Sequence, residues 1–183
     1  MSFIDLKNDL PGIRSLMAYS PHTAKPLNEL AEVLLRDEHN TLSRGERELI
    51  GAYVSWLNQC FFCQQVHEAL AGHYLACPIG ELDQIFDNLG ASALPAKIKA
   101  LLFIAGQVQT GGKSVSQDQV DAARHAGASD REIHDTILIA AAFCMFNRYV
   151  DGLGTWAPAD RGYYVNRAPQ RAIEGYIDFD LYK

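Results

Sequence analysis

Apolar residues in this chain recur three and four positions apart almost from end to end, and no strand-length run of alternating apolar and polar residues sits between hairpin turns. Side chains at that spacing share one face of a helix, so the expected class is all-α. Start signals divide the pattern. Pro21 and Pro78 suit first-turn positions, Pro95 opens PAKIKALLFIAGQ, and Ser43-Arg44-Gly45-Glu46 and Ser129-Asp130-Arg131-Glu132 both read as capping boxes. About eight helices are expected, near 12–19, 22–36, 43–57, 60–75, 79–88, 95–108, 116–126 and 130–151, with breaks at Gly90, Gly111-Gly112 and Gly127.

Length fits a single helical domain over 1–183, and 48% hydrophobic residues fill its core. The core is expected over about 25–155. The tail, 156–183, has weaker periodicity and carries Trp156, Tyr163, Tyr164, Tyr176 and Tyr182, aromatics suited to packing on the domain or on a neighbouring subunit. The longest apolar stretch, Thr136 to Phe146, is far short of the ~20 residues that span a bilayer, and the N-terminal MSFIDLKNDLPG lacks the basic-then-apolar run of a signal peptide. The expected location is cytoplasmic. Net charge is -6 and Lys and Arg do not cluster, which argues against nucleic-acid or membrane partners and for small molecules or proteins.

Four cysteines without a secretory signal do not make a disulfide scaffold, but two of them stand as Cys60-Phe61-Phe62-Cys63. With Asn58 read as an N-cap, Cys60 falls in a first helical turn, Cys63 three residues on and His67 four further, along one stripe. First-turn amides and the helix dipole stabilise a thiolate there, and three-residue spacing keeps two sulfurs within bridging range. His67 can accept the Cys63 proton, which makes Cys63 the better candidate nucleophile. On the preceding helix Glu48, Gly51, Ala52 and Ser55 form a stripe of one acid and small residues that another helix can approach closely. If the two stripes meet, Glu48 orients His67 and favours its charged form, which in turn stabilises the thiolate.

Glu48, then eleven residues, then Cys60-x-x-Cys63-x-x-x-His67 resembles the active-site signature of the alkyl hydroperoxidase D-like proteins. The resemblance extends to Leu42-Ser43-x-x-Glu46-Arg47-Glu48-Leu49-Ile50 and, more loosely, to Phe146-Asn147-Arg148-x-x-x-x-Leu153-Gly154, and is nearest to the peroxidase-related branch of the carboxymuconolactone decarboxylase-like superfamily. It implies a helical fold, a trimer or hexamer, and no cofactor. It also implies a cycle in which Cys63 attacks a hydroperoxide, Cys60 resolves the sulfenic acid, an external dithiol or protein reductant restores the pair, and Glu48 and His67 relay protons. The position before the second cysteine, often histidine in alkyl hydroperoxidase D itself, is Phe62 here.

A redox-sensing or disulfide-exchange protein is the alternative of a different class. Zinc competes chemically, since Cys60, Cys63, His67 and a carboxylate make four ligands, but the second paired motif of a usual structural zinc site is missing from the sequence. A thioredoxin-like reading needs a βαβ unit that the helical pattern does not offer. Cys77 and Cys144 read as inert, and His22, His39, His73, His125 and His134 as surface or locally bonded. Asn147 and Arg148 read as a buried hydrogen-bonded pair, Glu46 and Arg47 as capping and solvating their helix, and Phe61, Phe62 and Trp56 as an apolar entrance to the thiols.

Overall fold

The computed structural model describes residues 2–177. Its helices are α1 (Ile13–Tyr19), α2 (Pro21–Arg36), α3 (Arg44–Leu57), α4 (Phe61–Leu75), α5 (Ile79–Asp87), α6 (Ala96–Thr110), α7 (Gln117–His125), α8 (Asp130–Gly152) and α9 (Arg161–Glu174). The described residues contain no strand, and the class is all-α. Eight helices fall within two residues of the expected ranges. Both capping boxes form: Ser43 accepts from the Glu46 amide and Ser129 from the Glu132 amide, with the glutamates reaching back.

The ninth helix was not expected. Asp160 caps it by accepting from the Gly162 amide at 2.9 Å, and Tyr164, Ala168 and Ala172, four residues apart, are its buried face. The tail aromatics Tyr163, Tyr164 and Tyr176 thus pack on their own chain, whereas Tyr182 lies outside the described residues.

α3 sits at the centre, packed along α4 on one side and against α8 and α6 on others, while α9 covers α4. Leu49, Ala52 and Val54 of α3, Leu101, Leu102 and Ile104 of α6, and Ile139 and Phe143 of α8 are buried together. The small-residue stripe permits this closeness. A Cβ on Gly51 would stand 2.3 Å from the Phe143 ring, so the glycine is what lets α8 lay that ring on α3. Ser55, farther along, accepts a hydrogen bond from Asn147 Nδ2 at 3.0 Å.

Between α3 and α4 the chain turns in three residues. Asn58 is the C-cap of α3 and not the N-cap of α4 as expected, because Gln59 adopts a left-handed φ of 59°. The Gln59 amide donates to Trp56 O and the Cys60 amide to Ser55 O, the paired bonds of a Schellman motif. Cys60 therefore ends one helix and caps the next. Asn147 does not pair with Arg148. It bridges Ser55 and Asn58, locking this turn, while the exposed Arg148 donates to the Cys144 carbonyl. Arg47 also departs from expectation: it is buried, donating to the carbonyls of Leu34 and Ser43, and burial lowers its pKa from the usual guanidinium value.

Candidate active site

Glu48 and His67, one from each stripe, meet. Nδ1 of His67 lies 2.6 Å from Oε2 of Glu48, with both side chains nearly excluded from solvent. A carboxylate only accepts, so Nδ1 carries the hydrogen and Nε2 is the ring nitrogen left for proton transfer. The His67 ring is fixed by an edge contact with Phe143, centroids 4.5 Å apart, and by stacking on Tyr176 at 6.2 Å.

Tyr176 is the part of the site that sequence reasoning missed. Its hydroxyl donates to Oε1 of Glu48 at 2.7 Å, so both carboxylate oxygens are occupied. Burial pushes the phenol well above its ordinary pKa and the nearby Glu48 charge adds to it, which keeps Tyr176 a protonated donor. The tyrosine is built into place from α2. Glu32 accepts from the Tyr176 amide at 2.7 Å, and Arg36, paired with Glu32 at 2.9 Å, donates to Ala172 O at the end of α9. Gly175, at φ 73°, makes the turn between them.

Cys60 and Cys63 are both free thiols, at 0% and 4% exposure. Cys63 is the third residue of α4, where helix amides lack intrahelical partners and the dipole favours an anion. The hydrogen bond with Cys63, and then burial, push the Cys60 thiol above its ordinary range. The charge of Asp151, in the last turn of α8, adds to this rise.

Cys63, His67 and Tyr176 line one cavity of about 110 Å³, together with Phe62, Val66, Leu70, Phe143 and Tyr164. Of the three aromatics expected at the entrance only Phe62 is there. Phe61 is exposed beside Tyr164, and Trp56 packs against Tyr53 and Phe86. Glu48 is behind His67 and Tyr176, off the cavity wall. Its two oxygens are already engaged, which disfavours the four-ligand zinc arrangement, and the described residues contain no group of three His, Cys, Asp or Glu side chains placed to hold a metal.

Comparison with known proteins agrees with this architecture. Residues 21–74, the stretch holding Glu48, Cys60, Cys63 and His67, match the carboxymuconolactone decarboxylase family. A peroxidase-related protein from Ralstonia eutropha JMP134, described as an alkylhydroperoxidase AhpD core, superposes with a TM-score of 0.76 at 26% identity over 85% of this chain and 80% of its own. A peroxidase-related protein from Silicibacter sp. TM1040 shares the fold, with a TM-score of 0.74 at 24% identity over 84% of this chain and 78% of its own. No curated protein matches the sequence. The chain has an AhpD-like all-α fold, and its residues 21–74 are similar to the carboxymuconolactone decarboxylase family. Among the described residues no helix is long and apolar enough to cross a membrane.

Proposed function

We propose that the protein is a thiol peroxidase that reduces organic hydroperoxides through Cys63 and Cys60. The observation that carries this reading is that Cys63 and His67 open onto the same apolar cavity, with the Glu48 carboxylate fixed behind the histidine. His67 Nε2 takes the Cys63 proton, and Glu48 stabilises the imidazolium so formed. The thiolate attacks the distal peroxide oxygen, the O–O bond breaks, and the proton passes from His67 to the leaving alkoxide. Cys63 becomes a sulfenic acid and the hydroperoxide an alcohol.

Cys60, three residues away, then gives up its proton and attacks the Cys63 sulfur, the S–O bond breaks, and the hydroxyl leaves with that proton as water, giving the Cys60–Cys63 disulfide. An external dithiol or protein reductant supplies two electrons and two protons to restore both thiols. Cys63 on the wall of a cavity sized for a small molecule favours hydroperoxide turnover over a pure redox switch.

The test is consumption of an organic hydroperoxide with excess dithiol, for the native chain and for Cys63→Ser. Turnover that the substitution abolishes is the expected result. A native protein with reduced thiols that consumes no hydroperoxide overturns the reading.

A further inference from the structure

The cavity in front of Cys63 has a charge unlike that of the chain as a whole. Acidic residues outnumber basic ones by 22 to 16, yet the cavity wall holds Arg14, Arg167 and Arg171 and no Asp or Glu. Most other arginines on the surface are neutralised by a carboxylate: Arg36 by Glu32, Arg44 by Glu38, Arg124 by Asp121 and Asp130, Arg131 by Asp135, and Arg161 by Asp83. Among the described residues Arg167 and Arg171 form no ion pair. Their guanidinium groups lie over the rings of Tyr163, at 5.6 Å, and Tyr176, at 5.0 Å.

Arg167 and Arg171 are one turn apart on α9, on the same side of the helix, with Arg167 exposed and Arg171 half-buried. A guanidinium stacked on a ring keeps its in-plane N–H groups free to donate, the arrangement that suits a carboxylate. The remaining wall is apolar, built from side chains such as Met17, Leu27, Leu35, Val66 and Leu70. At about 110 Å³ the cavity is smaller than the ~150 Å³ that accommodates a benzene ring, so it admits a short apolar segment and leaves the rest of a ligand at the rim.

We propose that this cavity selects organic hydroperoxides bearing a carboxylate, the apolar segment lodged beside Cys63 and the carboxylate held at the rim by Arg167 and Arg171. The inference rests on the peroxidase reading for its reaction, but its recognition chemistry is separate. A neutral hydroperoxide fills the apolar part and leaves the two arginines without an anion.

The experiment compares kcat/KM for a medium-chain hydroperoxy-carboxylate and its methyl ester. The acid is expected to be favoured by about tenfold, less at high salt, with the preference lost in Arg167→Gln/Arg171→Gln and retained in Arg167→Lys/Arg171→Lys. An acid no better than its ester, or a preference that survives the glutamine pair, overturns the proposal. Should no hydroperoxide turn over, the peroxidase reading falls on its own and binding decides the rest. Octanoate and octanol are titrated into Cys63→Ser protein and into the same protein with the two glutamines. Octanoate binding about tenfold tighter than octanol, and only with the arginines present, supports the inference; equal affinities, or no saturable octanoate binding, overturns it.

Discussion

Glu48 on α3 and Glu68 on α4 are both buried carboxylates, at 1% and 0% exposure, and their surroundings differ in what they offer a negative charge. Glu48 has a donor on each oxygen, Tyr176 on Oε1 and His67 on Oε2. Glu68, one residue past His67 in sequence, gathers its donors on one oxygen: Gln64 at 3.3 Å, Gln65 at 3.1 Å and Arg161 at 3.2 Å all reach Oε2, and Oε1 has none. Arg161 is shared besides with Asp83, at 2.6 Å. A carboxylate satisfied on both sides is held in one geometry, as a relay requires; one satisfied on a single side, next to another acid, can relieve its burial by taking up a proton.

The largest expected effect comes from neutralising each acid in turn. Glu48→Gln keeps the size of the side chain but removes the charge that stabilises the His67 imidazolium, and hydroperoxide turnover should fall by about a hundredfold. Glu68→Gln should leave turnover within about twofold. A similar loss from both substitutions, in proteins that melt normally, breaks the contrast. Tyr176→Phe is milder: it leaves Glu48 Oε1 buried without a donor, which should cost about 1–3 kcal/mol of stability and lower turnover by about tenfold. Melting and steady-state rates measured on the same preparation check both figures, and wild-type values for both would remove Tyr176 from the relay.

How the site was and was not legible follows from distance along the chain. Glu48, Cys60, Cys63 and His67 lie on two consecutive helices and the turn between them, where spacing fixes which side chains share a face, so a Glu48–His67 pairing could be posed as a condition from helical faces alone. Tyr176 is 128 residues from Glu48 and reaches it only because α9 docks on α4 and Glu32 and Arg36 fix its end. No local pattern encodes that. α9 itself escaped notice because two of its three buried positions are Ala168 and Ala172 and because Pro169, a residue that usually ends a helix, lies inside it, although the four-residue interval and the Asp160 cap were visible. The turn before Cys60 was misread for a different reason: a left-handed residue at a Schellman cap is usually glycine, and here it is Gln59. Arg47 shows the same limit, since charge suggests exposure and only the tertiary structure supplies the carbonyls of Leu34 and Ser43.

The smallest effect concerns pH. Burial, and then the neighbouring Asp83 carboxylate, push the Glu68 carboxyl up to about 7, against the opposing pull of Arg161. Unfolded, it titrates near its ordinary value of 4.5, so between there and about 7 the folded chain holds a proton that the unfolded chain has released. The associated stability is fully present below about 4.5 and is lost as pH rises through 7. Protonation also removes the repulsion between Glu68 and the Asp83 carboxylate. Glu68→Gln mimics the protonated form at every pH. It should therefore be more stable than the native chain at pH 8 by about 1 kcal/mol, after allowance for the lost attraction to Arg161, and nearly equal to it at pH 5. Denaturant midpoints at the two pH values measure this. A variant that gains nothing at pH 8 would mean that Arg161 and the two glutamines already satisfy the ionised acid, and the two carboxylates would then differ in geometry alone.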